Sequence, residues 1–161
     1  MSHLARAREV FDIELAALKA VRAQLDKSFD RAVETIIAAL KSRLPQPVSL
    51  HICGNAMPIL GDMAASGADV LELDHQVDLA TACGVLGPRI AIWGNLDPVG
   101  LLAHGTPEDV RRATTDLLLA ARQCGHRRLV VSSGCTLAPD TPAENIEALL
   151  AVTRLFPARP H

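Results

Sequence analysis

His51 and Cys53 lie two positions apart in the sequence, and Cys135 follows them much later. One imidazole and two thiols are ligand types that zinc prefers, and catalytic zinc sites keep three protein ligands while leaving a fourth position for water or substrate. A thiolate-rich site with an open position suits a sulfur substrate, because zinc holds a thiol in its deprotonated, nucleophilic form. We therefore interpret His51, Cys53 and Cys135 as candidate zinc ligands, with ordinary burial of the two thiols as the alternative.

Residues 1–44 contain neither glycine nor proline, and they are predicted to form a helical hairpin. Apolar residues recur there at helical spacing in two groups. These are Phe11, Leu18, Val21 and Leu25, and then Phe29, Val33, Ile36, Ile37 and Leu40. Asp26-Lys27-Ser28 separates the groups, with Ser28 as the predicted N-cap of the second helix. The hairpin is expected to be charged outside, aliphatic inside and without chemistry of its own.

Residues 45–161 begin at Pro45-Gln46-Pro47, which ends the helical pattern, and then alternate β-branched runs with helical stretches. Strands are predicted over residues 48–53, 69–73, 89–93 and 128–132. Four βα units in succession indicate a parallel sheet with right-handed crossovers, whose chemistry gathers at the carboxyl ends of the strands. His51 and Cys53 lie at such an end and, being two residues apart on a strand, face the same side.

Further polar residues stand at the same predicted strand ends. Asp74 and Asp97 are placed where a carboxylate can orient a zinc-bound histidine or contact substrate. We take Asp74 as a catalytic candidate and Asn95 and Asp97 as substrate-binding candidates, although Asn95-Leu96-Asp97-Pro98 also has the pattern of a turn. Cys83 and Cys124 are interpreted as buried structural thiols, and Trp93 as a core residue.

The helices of residues 45–161 carry start and stop signals. Thr106-Pro107-Glu108-Asp109 and Thr141-Pro142-Ala143-Glu144 both match an N-cap, an N1 proline and a capping box. Gly125 lies where the long helix that starts at Pro107 is expected to end.

Composition narrows the classes of function. A chain of 161 residues with 49% hydrophobic residues is long enough for one globular domain with a core. A net charge of -2 and 2% aromatic residues give no reason to expect nucleic-acid binding. The absence of a long apolar run or a signal-like N-terminus leads us to expect a cytoplasmic protein without membrane contact, in which four cysteines bind metal or are buried.

From about Pro47 to Phe156 the sequence resembles the C-terminal half of the uroporphyrinogen decarboxylase superfamily, whose fold is a (β/α)8 barrel. The matching stretches are His51-Ile-Cys-Gly-Asn55, Leu73-Asp74 with Val77-Asp78-Leu79, Gly94-Asn-Leu-Asp-Pro98, and Pro139-Asp-Thr-Pro-Ala-Glu-Asn145. Since a full barrel needs eight strands, the resemblance implies an α/β fold that is a partial TIM barrel of four βα units.

Two branches of this superfamily differ at the position of Cys135. The decarboxylases are metal-free and usually carry a histidine beside the glycine that corresponds to Gly134. The methylcobamide:thiol methyltransferases, such as the coenzyme M methyltransferases, carry a His-x-Cys and a distant Cys as zinc ligands. Cys135 therefore implies the second branch, with zinc as cofactor, a methyl-corrinoid as co-substrate, a small thiol substrate and a corrinoid protein as partner.

Three functions stay open at this point. They are zinc-dependent methyl transfer to a thiol, a catalytically inactive half-barrel that binds zinc or dimerises, and a metal-free uroporphyrinogen decarboxylase, for which no arginine cluster marks the strand ends. Half a barrel leaves apolar edges and an inner face uncovered, so we expect a homo-oligomer and weak methyl transfer by this chain alone.

Residues 7–40 additionally resemble the leading helical pair of arabinose 5-phosphate isomerases. The stretches that carry this likeness are Glu9-Val-Phe-Asp-Ile-Glu14 and Leu25-Asp-Lys-Ser-Phe-Asp-Arg-Ala-Val-Glu34. The sugar-isomerase domain does not follow them, so isomerase activity is not implied.

Overall fold

The computed structural model describes residues 2–24 and 26–156. The elements in chain order are α1 (His3–Gln24), α2 (Lys27–Arg43), β1 (Ser49–Ile52), a 3-10 turn (Met57–Ile59), α3 (Leu60–Ala65), β2 (Val70–Leu73), α4 (Leu79–Leu86), β3 (Ala91–Leu96), α5 (Pro107–Gln123), β4 (Leu129–Ser133) and α6 (Ala143–Leu155). All four predicted strands are confirmed, with small shifts at their ends. Within the described ranges, no helix combines the length and apolarity needed to cross a bilayer.

The four strands form one parallel sheet in the order β1-β2-β3-β4, which confirms the predicted α/β partial barrel. Each strand is followed by a helix, as right-handed βα units require. The helices cover one face of the sheet, where Leu71, Leu73 and Ile92 are fully buried with Leu60 of α3 and Val110 of α5. All four strands therefore end at one rim, and the helices hold their relative positions.

The opposite face of the sheet is open. His51, Glu72, Trp93 and Val130 are partners in the strand register and form a row across this face, which we call the open-face row. Trp93 is 40% exposed, so the prediction that it lies in the core is wrong. An apolar strand of a parallel sheet is normally covered on both faces, whereas here the helices cover only one.

The two N-terminal helices pack unequally. No side chain of α1 is buried, and Phe11 and Leu18 are 64% and 66% exposed, so the predicted aliphatic interior is wrong for this helix. The helix α2 contacts the core through Ile37, which is 5% exposed, and through Lys41, whose Nζ lies 2.6 Å from Asp69 Oδ1. Leu25 and the side chains of Phe29 and Val33, also predicted to face inward, lie outside the described part of the chain.

Helix ends follow the predicted signals in part. Thr106 and Asp109 form the expected capping box, and Gly125 follows the end of α5 with a φ of 72°. The N-cap of α2 is Asp26 rather than Ser28, because the Asp26 carboxylate accepts a hydrogen bond from the Ser28 backbone N–H at 2.7 Å. The second predicted capping box is wrong as well, since the Thr141 hydroxyl donates to the Ala138 carbonyl oxygen at 2.8 Å and leaves α6 without a side-chain cap.

Candidate metal centre

The three predicted zinc ligands lie together at the carboxyl rim of the sheet. His51 Nε2 is 2.9 Å from Cys53 Sγ, and Cys53 Sγ is 3.7 Å from Cys135 Sγ. The three ligand atoms all lie within 4.8 Å of one another. His51 lies in β1 and Cys53 directly follows its last residue, Ile52, and the two side chains face the same side, as predicted.

Cys135 reaches this place because of the glycine before it. Strand β4 is the far strand of the sheet from β1, so its loop has to cross the ends of β2 and β3. The Gly134 N–H donates to the Leu96 carbonyl oxygen at 2.7 Å, and a Cβ at Gly134 would collide with the backbone of Asp74 and His75. Only a residue without a Cβ allows this close approach, which brings Cys135 to Cys53.

The second nitrogen of His51 faces Glu72 on the neighbouring strand. Nδ1 lies 3.3 Å from the Glu72 carbonyl oxygen and 3.7 Å from the Glu72 carboxylate. An Nδ1–H directed at these acceptors leaves Nε2 as the ligand atom, which is the arrangement that orients histidine in metal sites. Sequence reasoning missed Glu72 and offered Asp74 and Asp97 as the carboxylates that orient the histidine or contact substrate, because the register between β1 and β2 could not be derived from either strand alone.

Asp74 is buried, and it holds the loop that carries Cys53. Its carboxylate accepts hydrogen bonds from the Gly54 N–H at 2.9 Å and from the Gln76 N–H at 3.0 Å, and it lies 3.1 Å from His75 Nδ1. Burial raises the pKa of Asp74, but the two backbone hydrogen bonds and the nearby His75 and His51 outweigh it, so the net pKa is lowered. The carboxylate therefore stays ionised beside the ligand set.

The two candidate substrate contacts make their hydrogen bonds within the protein. The Asn95 side chain is buried and donates to the carbonyl oxygens of Asp74 and Val77, at 3.1 and 2.7 Å. The Asp97 carboxylate accepts from the backbone N–H groups of Val99 and Gly100, at 2.9 and 3.0 Å. The turn therefore begins at Asp97, and its predicted start at Asn95 is wrong, because Asn95 and Leu96 belong to β3. A role for either residue in substrate binding stays a prediction.

The electrostatics of the site favour a cation. The pKa of Cys53 is raised, first by its contact with the Cys135 thiol, then by burial, and then by the negative charges of Cys135, Asp74 and Glu72. A Cys53 thiolate accordingly needs a positive partner, and a divalent metal ion provides one.

The spacing of the ligand atoms matches tetrahedral zinc along the edge between the two sulfurs and is shorter than required along the edge between His51 and Cys53. Two sulfurs that each lie about 2.3 Å from a tetrahedral zinc are about 3.8 Å apart, which agrees with the observed 3.7 Å between Cys53 and Cys135. The corresponding nitrogen–sulfur edge is about 3.6 Å, so His51 and Cys53 would separate by about 0.7 Å from their present 2.9 Å. The residues fit a three-ligand zinc site.

The two other cysteines lie outside the site. Cys83 is buried as predicted, and burial together with the nearby Cys124 raises its pKa to about 11. Cys124 is exposed, so its predicted burial is wrong. It is the C-cap residue of α5, and its thiol lies 3.9 Å from the Ala80 carbonyl oxygen.

Comparison with known protein families shows which family this chain belongs to. A family model described as "Uroporphyrinogen decarboxylase (URO-D)" matches residues 10–155. The chain belongs to the uroporphyrinogen decarboxylase family. The match begins within α1, so most of the two N-terminal helices lie inside it. The predicted resemblance, in contrast, begins only at about Pro47. The division at residue 44 and the likeness to isomerases stay predictions.

Relatives of this family member have two different activities in their names. A methylcobamide:CoM methyltransferase of Methanosarcina mazei is 36% identical over 121 residues, which are 75% of this chain and 33% of the relative. A uroporphyrinogen decarboxylase of Prochlorococcus marinus is 37% identical over 111 residues, which are 68% of this chain and 30% of the relative. The chain thus spans about a third of the length of the curated relatives it matches.

The solved structure of a methyltransferase from Methanosarcina mazei has the same architecture over most of the chain. It superposes with a TM-score of 0.65 at 29% identity, and the match covers 79% of this chain and 35% of that structure. The predicted superfamily and the partial-barrel fold are therefore confirmed.

Proposed function

We propose that this protein binds zinc through His51, Cys53 and Cys135, and that the site binds a small thiol that accepts a methyl group from a methyl-corrinoid. The observation that carries the proposal is the gathering of the three ligand atoms within 4.8 Å at the carboxyl rim. This rim is where enzymes built on parallel βα units place their chemistry. A corrinoid protein is the expected partner that presents the methyl donor.

The residues of the chain have separate tasks in this proposal. When bound, zinc supplies Lewis acidity that lowers the pKa of a thiol ligand, which makes the thiol a nucleophile for the methyl group. Cys53 and Cys135 supply negative charge to the ion, and Glu72 holds His51 with Nε2 directed to it. Asp74 supports the site by fixing the Gly54 backbone next to Cys53.

Two features favour methyl transfer over decarboxylation. A cysteine stands at position 135, where the decarboxylases usually carry a histidine beside the preceding glycine. The loops after the four strands, at residues 53–59, 74–78, 97–106 and 134–142, contain no lysine or arginine. The carboxylates of a tetrapyrrole need cationic partners, and the loops of this rim contain neither lysine nor arginine.

Metal content tests the first half of the proposal. We expect close to one zinc per chain after reconstitution, and loss of most of it in Cys53→Ala and in Cys135→Ala. Cys124→Ala is the matched control, because this exposed thiol lies outside the ligand set and its loss should leave zinc unchanged. Folded wild-type protein that takes up no zinc would end the proposal.

Cobalt substitution tests the second half. A thiol that enters the open position should increase the sulfur-to-metal charge-transfer absorption and release a proton, since the thiol ionises as it binds. The same sample, mixed with methylcobalamin, is expected to transfer methyl slowly. A cobalt-loaded site that responds to no thiol would instead indicate a closed structural site, and the protein would be a zinc-binding module without catalysis.

The open face of the sheet provides a surface through which the chain can self-associate. The strands β1 and β4 have a partner on one side only within the described sheet, and Trp93 and Val130 expose apolar surface between them. Because exposed edges and apolar faces favour association, we expect self-association of this chain. Light scattering that shows a cooperatively folded monomer over a wide concentration range would contradict this expectation.

A further inference from the structure

The surroundings of the candidate metal centre carry negative charge. The Glu72 carboxylate lies 3.7 Å from His51 Nδ1, and its side chain is 33% exposed on the open face. The buried Asp74 carboxylate lies next to the loop of Cys53. A ligand on the metal therefore lies near the negative charge of two carboxylates, of which Glu72 is the more exposed one.

Basic side chains are placed elsewhere. Within the described residues, the ion-pair partners of Glu72 and Asp74 are His51 and His75, and every lysine or arginine that forms an ion pair lies on a helix. The four loops of the rim contain no lysine or arginine. Arg128, just before β4, is at the opposite end of the sheet, where it donates to the Arg89 carbonyl oxygen. An anionic group on the substrate would find no strong cation on this rim.

Trp93 adds a surface that suits a positive group. It is the register partner of Glu72 on the next strand, so His51, Glu72 and Trp93 follow one another across the open-face row. Neighbouring strands are about 4.8 Å apart, so a group two carbons from a metal-bound sulfur can reach the Glu72 carboxylate and approach the indole. A carboxylate beside an exposed tryptophan attracts ammonium groups through charge and through the π face.

We propose that the acceptor is an aminothiol, whose ammonium group is recognised by Glu72 and Trp93, rather than a thiol that carries a sulfonate or carboxylate. This inference rests on the proposed function, because it concerns the thiol that enters the metal site. If thiols bind to the metal site without a preference for an ammonium group, the aminothiol inference fails while the proposed function stands.

Three thiols with the same two-carbon frame provide the test. Cysteamine, 2-mercaptoethanol and 2-mercaptoethanesulfonate differ in a terminal ammonium, hydroxyl or sulfonate group. Their affinities for the cobalt-substituted full chain are measured from the charge-transfer band, in wild type and in Glu72→Gln. We expect cysteamine to bind about tenfold more tightly than the sulfonate in wild type, and about twofold more tightly in Glu72→Gln, since one carboxylate at this distance is removed.

The comparison between variants removes the intrinsic acidity of each thiol, because that acidity is the same for both proteins. Any change in the affinity for the uncharged 2-mercaptoethanol measures loosening of His51, so the affinities for the two charged thiols are compared relative to it. Asp140→Asn, which removes an exposed carboxylate from the loop after β4, is the matched control and should leave the ratio unchanged. A ratio that is equal in wild type and Glu72→Gln, or tighter binding of the sulfonate by wild type, would overturn the proposal.

Ionic strength gives a second measurement that needs no variant. Salt screens charge interactions at partly exposed sites, so raising it should weaken binding of cysteamine and strengthen binding of the sulfonate by wild type. Parallel salt responses for the two charged thiols would also overturn the proposal. If none of the three thiols binds although cobalt is present, the proposed function fails and the aminothiol inference fails with it.

Discussion

The carboxyl rim of the sheet and the helix α1 differ in what fixes their side chains. At the rim, His51, Cys53 and Cys135 come from the ends of the two outer strands. The close approach of the Gly134 backbone and the hydrogen bond from the Gly54 N–H to the Asp74 carboxylate hold their loops together. Along α1, no side chain is buried, although the helix carries apolar residues at regular spacing. Spacing in the sequence therefore predicts a helix, while a specific position also needs close contact with the rest of the chain.

The rim depends most on the close approach at Gly134. In Gly134→Ala the new methyl group would collide with the backbone of Asp74 and His75, so the β4 loop must move away from β2. We expect a loss of about 1–3 kcal/mol in the free energy of unfolding and at least a tenfold loss in zinc affinity, because Cys135 moves away from Cys53. Chemical denaturation and competition with a zinc-binding dye measure the two effects.

Gly84→Ala is the matched control for this change. Gly84 lies within α4 with open space around its Cβ position, so alanine there should keep zinc binding and raise stability by up to about 1 kcal/mol. Equal zinc affinity in Gly134→Ala and wild type would show that the loop contact does not position Cys135.

Asp74 supports the same rim with a smaller expected effect. In Asp74→Asn the side chain keeps its shape but loses its charge and one of its two acceptor oxygens, so it can no longer accept hydrogen bonds from the N–H groups of both Gly54 and Gln76. We expect the free energy of unfolding of metal-free protein at pH 7 to fall by about 1–3 kcal/mol. The loss is measured by urea denaturation in the presence of a chelator.

The pH dependence of this loss follows from the lowered pKa of Asp74. A carboxyl whose pKa is lower in the folded state stabilises the protein above its unfolded pKa, and the stabilisation is lost as the pH falls through the folded pKa. The difference between wild type and Asp74→Asn should therefore be constant near neutral pH and shrink as the pH falls below the ordinary value of 3.8. A difference that persists at acidic pH would mean that the charge of Asp74 contributes nothing.

The sequence was sufficient for the strands and for the proximity of the three candidate zinc ligands, because both follow from local patterns. Alternation along β1 and the common rim of a parallel sheet bring His51, Cys53 and Cys135 to one side without any knowledge of distances. Glu72 was missed because its role depends on the register between β1 and β2, which is a contact between distant parts of the chain. Trp93 was misplaced because its strand pattern does not reveal that helices cover only one face.

The smallest expected effects on the free energy of unfolding are those of substitutions in α1. Ile37→Ala on α2 removes a side chain from the core and should cost about 2–4 kcal/mol in the free energy of unfolding. The double variant Phe11→Ala and Leu18→Ala removes more apolar side-chain volume in total, but from exposed positions of α1, and it should cost less than about 0.5 kcal/mol. Urea denaturation at low micromolar protein concentration measures both. A loss in the α1 variant comparable to that of Ile37→Ala would mean that α1 is packed against the protein in solution; if that loss grew with protein concentration, the contact would be with a second copy of the chain.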